Sequence, residues 1–186
     1  MTRTKRIALV LLLVASMVPI GTSSQHPNLG VKRRPVGQAV VSKAADVTPF
    51  LVARAYSRVA SYKPFVIEAA KRHHVPAITL LAILFEEELH RKPVDVSTFG
   101  PAQLGLGELR AQGLPERVEL LEDPEISIFL LAAKLDRLRR VHGSLKTAIM
   151  LHNGYDDYFT MIERRQKDPR LLEILIEQTV RQSFIA

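Results

Sequence analysis

Three adjacent carboxylates, Glu86, Glu87 and Glu88, close an apolar run in this chain. Within that run Ile78, Leu80, Leu81, Ile83, Leu84 and Phe85 surround a helical axis instead of lining one stripe, the pattern of a buried helix. Acids at a helix C-terminus face the negative end of the macrodipole, at a cost of roughly 0.3–1 kcal/mol each. Repulsion within the triplet adds to that cost. Glu88 also continues the row of Leu81, Leu84 and Phe85, standing seven, four and three residues beyond them, so it extends an apolar face. All three effects disfavour the ionised form. A carboxyl that keeps its proton near neutral pH can act as a general acid on a glycosidic oxygen. The same triplet also reads as a solvated helix end compensated by Arg91 or Lys92, and on periodicity alone that inert reading is the stronger.

The remaining chemistry is sparse. There is no cysteine, which excludes a disulfide framework, a thiolate metal site, a cysteine nucleophile and a lipid-modified cysteine. His73, His74 and His90 lack a metal-ligand spacing and read as surface histidines, so no metal or cofactor is expected. Asp95 is the nearest possible second acid, and a loop acid is usually just solvated. The formal net charge is +7, of which three positive charges, Arg3, Lys5 and Arg6, lie in the first six residues. The remaining excess is scattered, as in the stretch from Lys32 to Arg34 and at Arg139 and Arg140. Aromatic residues make up 6% of the chain and tryptophan is absent. This is not the clustered, aromatic-bearing basic face of a nucleic-acid binder. A mildly basic domain suits an anionic cell envelope, although an ordinary solvated surface is the stronger reading of the charge.

The elements that must position these residues are helical throughout. Arg3, Lys5 and Arg6 precede an apolar run of 14 residues from Ile7 to Ile20, short of the about 20 that a spanning helix requires. This is the pattern of a secretory signal peptide over residues 1–23. An uncleaved anchor is the alternative, because no Ala-x-Ala site follows. Residues 24–46 read as a linker broken by Pro27, Gly30, Pro35 and Gly37. Residues 47–186 read as one helical domain. Phe50, Leu51, Ala53, Ala55, Val59 and Ala60 predict a first helix, and Pro64 opens a second with Phe65, Ile67, Ala69 and Ala70. Pro76 stands at the first turn of a third helix, which runs from Ala77 to about His90, with Pro93 closing it. A Ser-, Thr-, Gly- and Pro-rich loop covers Val94 to Gly107. Later helices are predicted from Pro124 to about Val141, from Leu145 to Leu151 and from about Pro169 to Gln182. No strand alternation persists, so the class is all-α.

Downstream of Glu88, a Pro, a Ser and a Gly follow at five, nine and twelve positions, as Pro93, Ser97 and Gly100, with Gln103 just beyond. This series resembles the soluble lytic transglycosylases, relatives of goose-type lysozyme, whose catalytic Glu ends a buried helix and is followed at these spacings. Residues 67–70 and 75–83 resemble the lead-in helices of that family. Residues 123–128 resemble the segment opening its next long helix. The segment from Ala148 to Gly154, with His152 and Asn153, resembles its Ala-Tyr-Asn-x-Gly motif. Together these pieces cover the core from Phe65 to Tyr155. The chain departs from the pattern at Leu89, where the family has Ser, at His152, where it has Tyr, and in a shorter loop between Gly100 and Gln103.

The resemblance implies a divergent lysozyme-like helical domain, exported to the periplasm or beyond the cell, acting on the glycan strands of peptidoglycan. It implies cleavage between N-acetylmuramic acid and N-acetylglucosamine with Glu88 as the single acid and base, leaving a 1,6-anhydro end. Gln103 and Asn153 would hydrogen-bond the sugar or position Glu88, and Ser97 would share that work or cap its loop. His152 would replace the Tyr hydroxyl as a donor or pack as a lone histidine. Pro93 and Gly100 would shape the loop. Expected partners are peptidoglycan strands and an envelope or secretion complex, with the membrane met only through an uncleaved N-terminal segment. The alternative is a relative of the same fold that binds peptidoglycan without cleaving it.

Overall fold

The structure, a computed structural model, describes residues 48–90, 97–155 and 157–183, with side chains through Ile176. The proposed leader, the linker, Pro93 and Asp95 lie outside the described residues. The described part belongs to one unit, residues 47–186. It is built from helices α1 (Pro49–His73), α2 (Ala77–Leu89), α3 (Leu106–Ala111), α4 (Val118–Glu122), α5 (Pro124–His142), α6 (Leu145–Asn153), α7 (Tyr158–Gln166) and α8 (Pro169–Ser183). Among the described residues the only β pairing is an isolated bridge between Phe99 and Leu104. The class is all-α.

Helix α2 is the axis of the fold. Every residue from Thr79 to Glu86 is buried, as an all-round apolar sequence requires. α1, α5, α7 and α8 pack around it. The core adds Val59, Val66, Leu121, Ile128, Leu131, Leu135 and Ile149, all at or below 1% exposure. The Phe85 ring is held between the Tyr56 ring, at 4.6 Å, and the Arg165 guanidinium, at 4.7 Å.

Local signals explain the helix ends. The Asp123 side chain accepts the backbone N–H groups of Glu125 and Ile126, and Pro124 follows it at the first helical position, where its missing N–H costs nothing. Ser144 caps α6 by accepting from the Thr147 N–H at 3.0 Å. Gly143 and Gly154 end α5 and α6 with φ of +79° and +82°, a conformation natural to glycine.

The sequence predicted a break at Pro64. Instead α1 runs unbroken through it. Proline removes one intrahelical hydrogen bond and crowds the carbonyl four residues earlier. The buried stripe of Val59, Tyr62, Lys63, Val66 and Ala69 continues on both sides, and Pro64 itself faces solvent. Packing of that stripe carries the helix across the defect. Helices α3, α4 and α7 were not foreseen; α7 bears directly on the site.

Candidate functional site

The three acids at the end of α2 point to different surroundings. Successive residues on a helix are rotated by about 100°, which separates Glu88 from the pair Glu86 and Glu87.

Glu88 turns toward α1. The Tyr62 hydroxyl donates to its Oε1 at 2.8 Å, and Arg58 Nη1 lies 3.3 Å from its Oε2. The Glu88 side chain is 3% exposed. Burial and the bond to Glu88 push the Tyr62 hydroxyl up to about 12, so it remains a donor. Glu88 is therefore engaged by Tyr62 and by a partly exposed Arg58, and is not among the residues lining the pocket described below.

Glu86 and Glu87 turn toward α6 and α7. There a pocket of about 230 Å³ is lined by Glu86, Glu87, His90, Asn153, Tyr155, Asp157, Tyr158 and Met161. The Tyr158 hydroxyl donates to Glu87 Oε1 at 2.7 Å, and the Asn153 amide also hydrogen-bonds Glu87. Burial raises the Glu87 pKa above the ordinary carboxyl value, and the charge of Glu86 adds to it; the bonds from Tyr158 and Asn153 oppose the rise without cancelling it. Desolvation and a like charge both favour the protonated acid.

Glu86 behaves in the opposite way. Burial alone would raise its pKa, but His90 and Arg165 hold it below the ordinary value. Arg165 reaches across from α7 to Glu86 Oε1, and His90 Nε2 lies 3.2 Å from Oε2. The Glu86 contact in turn raises the His90 pKa. One turn of helix thus presents two buried carboxyls in one pocket, one held as the anion and one pushed toward the acid. Divergence of this kind between neighbouring titratable groups marks acid–base sites.

His152 packs beneath the pocket. Its side chain is 3% exposed, and its Nε2 stands 4.0 Å from Glu87 Oε1, beyond hydrogen-bond reach. Burial, with the nearby Lys134 charge, lowers its pKa to about 3, so the ring is neutral at pH 7. Lys134 donates to the His152 carbonyl at 3.5 Å and pairs with Glu108 at 3.4 Å, which ties the end of α6 to α5 and α3. His152 Nδ1 and Asn153 Oδ1 are both buried without a hydrogen-bond partner.

The other residues singled out from the sequence form a loop and not the pocket. Gln103 is used internally: its Nε2 donates to the Gly100 carbonyl at 2.7 Å, and its Oε1 accepts from Thr98 at 3.1 Å. Gly100 has φ of +71°, and a Cβ there would stand 1.7 Å from the Leu121 carbonyl oxygen. Only glycine lets the loop close on α4. Ser97 is exposed at the start of the described loop. Of the described residues chosen by spacing, Asn153 alone is among those lining the pocket.

Sequence reasoning overlooked Glu86 and Glu87 as separate actors, along with His90, Arg165, Tyr155 and Tyr158. The Glu86–His90 spacing of four was a legible ion-pair signal. Tyr158, Ile162 and Arg165 stand at positions i, i+4 and i+7 of an amphipathic pattern, which would have revealed α7. Among the described residues no group of His, Asp and Glu is arranged to hold a metal, and no helix is long and apolar enough to cross a membrane. Comparison with family models, curated proteins and solved structures found no match for this chain.

Proposed function

We propose that this protein cleaves the glycan strand of peptidoglycan as a lytic transglycosylase, with Glu87 as its acid and base. The observation that carries this reading is the pairing in one pocket of a protonation-prone Glu87 with an anionic Glu86 and with Asn153. The sequence motif supports the substrate, since residues 148–154 and 88–103 resemble the corresponding segments of that family. Spacing alone selects Glu88. Geometry favours Glu87, because Glu87 faces the pocket and touches Asn153, whereas Glu88 is engaged by Arg58 and Tyr62.

The chemistry requires one carboxyl. Protonated Glu87 gives its proton to the glycosidic oxygen as the bond to the muramic C1 breaks. The resulting carboxylate then takes the proton of the C6 hydroxyl, whose oxygen closes on C1. The product is a 1,6-anhydro ring, no water is consumed, and Glu87 regains its proton. Proton transfer by such a group contributes typically 10²–10⁴-fold to the rate. Glu86 stays ionised throughout, held by Arg165 and His90. Its nearby negative charge raises the proton affinity of Glu87 and favours the positive charge that develops at C1.

The second reading is a glycan-binding relative without turnover. Leu89 and His152 favour it, because each stands where the family carries a polar side chain. Incubation with purified peptidoglycan followed by mass spectrometry separates the two. Anhydro-muropeptides from the wild type and not from Glu87→Gln support cleavage. Binding without any products supports the second reading.

A further inference from the structure

Tyr56 is half-buried on α1 and packs its ring on Phe85, which by itself is ordinary core packing. Its hydroxyl reaches further. It donates to Asp168 Oδ2 at 2.5 Å, across 112 residues of chain. Burial and the bond to Asp168 push that hydroxyl up to about 12, so it stays a donor. Asp168 stands in the turn between α7 and α8. Its Oδ1 accepts the Arg170 N–H at 3.0 Å, and its Oδ2 lies 3.9 Å from Arg165 Nη1, within ion-pair range but beyond a hydrogen bond. The Arg165 guanidinium is thus engaged on three sides. Its face lies on Phe85, its Nε reaches Glu86 and its Nη1 faces Asp168. Glu86 and Asp168 compete for one planar fork, and the Tyr56 hydroxyl occupies the Asp168 oxygen that competes.

We propose that Tyr56 is a positioning residue for the acid pair, engaging Asp168 so that the Arg165 guanidinium stays on Glu86. This rests on the reading above of Glu86 as anion and Glu87 as acid, and adds the contact that keeps the division in place. Without the Tyr56 hydroxyl, Asp168 Oδ2 lacks its donor, and Arg165 Nη1 is the charged donor beside it. Arg165 then turns from Glu86 toward Asp168. The other groups around Glu86 do not offset that loss. Glu87 on α2 and Asp157 on the pocket wall are acids, Tyr158 on α7 is a neutral donor already given to Glu87, and His152 on α6 is neutral. Arg170 lies over the Tyr56 ring. His90 remains on the second Glu86 oxygen, and because the Glu86 contact raises its pKa it stays charged throughout the acid range.

Carboxyl carbon NMR titration of the full chain from pH 2 to pH 7 tests this without any substrate. Tyr56→Phe keeps the ring on Phe85 and removes only the hydroxyl. It is expected to raise the Glu86 midpoint by about 0.5 pH unit or more, the scale of coupling within one contact network. Arg165→Gln is expected to raise it by about 1 unit or more, as loss of a paired cation does. In the Arg165→Gln background the effect of Tyr56→Phe should vanish, because its route is gone. An unmoved Glu86 midpoint in Tyr56→Phe, or an equal rise with and without Arg165, overturns the role of Tyr56. Absence of cleavage in wild type contradicts the glycan reading alone, since the titration needs no peptidoglycan. Where peptidoglycan is cleaved, Tyr56→Phe should lose rate on the acid side at a pH about 0.5 unit higher than wild type. An unmoved acid limb beside a shifted Glu86 overturns the link to the reaction.

Discussion

At the scale of single residues, the end of α2 shows how three identical side chains acquire three roles. Glu88 faces the α1 side, where Arg58 and Tyr62 accommodate a buried carboxylate. Glu86 faces α7, where Arg165 and His90 hold it ionised. Burial and the like charge of Glu86 raise the proton affinity of Glu87 against the bonds from Tyr158 and Asn153. This arrangement has a consequence for stability. The folded state binds the Glu87 proton more tightly than the unfolded chain does, so this residue destabilises the fold as pH rises from the ordinary carboxyl value through the raised one. Glu87→Gln should therefore melt above wild type at pH 7, with the difference closing as the pH falls below the ordinary carboxyl range. Thermal melts of both proteins from pH 3 to pH 8 check it. A variant less stable than wild type at pH 7 would contradict the raised proton affinity. The sequence showed that these acids were in conflict with their helix end. It could not show which of them faced the pocket, because the partners, Arg58, Tyr62, Tyr158 and Arg165, lie between 26 and 79 residues away.

At the scale of elements, the helices whose apolar pattern is strong were legible. α2 was readable because it is apolar on every side, and α5 and α6 because Asp123, Ser144, Gly143 and Gly154 mark their ends. α1 was misread as two helices because Pro64 is a strong local stop signal, and a stripe that spans it is a tertiary matter. The proline should thus be a removable defect. Pro64→Ala restores an N–H for the α1 ladder and relieves the clash, a gain of up to about 3 kcal/mol. It also frees the unfolded chain, which offsets about 0.4–1 kcal/mol. The variant should melt several degrees above wild type. No rise, or a fall, would mean that Pro64 is favourable where it stands. The loop from Ser97 to Leu104 illustrates a subtler limit. Gly100 was read as loop geometry and Gln103 as a sugar or Glu88 contact, but Gln103 bonds the Gly100 carbonyl and Thr98, and Gly100 packs on the α4 carbonyl of Leu121. Residue type and spacing do not tell a ligand contact from a loop contact.

At the scale of the whole molecule, one buried helix links core and site. Phe85 fills the centre of the packing, and Arg165 lies over its ring while reaching Glu86. Phe85→Ala should cost about 3–5 kcal/mol and lower the melting temperature by about 10 °C or more. It should also loosen Arg165 and hence the Glu86 anion. A loss below about 1 kcal/mol would mean that this centre is not the core it is described as. The all-α class was legible from composition and period, whereas the pocket arises from the meeting of α2, α6 and α7, and no local pattern encodes a meeting. The assignment of the acid is tested most directly by the release of soluble fragments from insoluble peptidoglycan by wild type, Glu87→Gln and Glu88→Gln, each first shown to be folded at the assay temperature by circular dichroism. Glu87→Gln is expected to lose about a hundredfold or more, and folded Glu88→Gln to stay within about tenfold of wild type. A folded Glu88→Gln that is inactive beside an active Glu87→Gln would contradict that assignment.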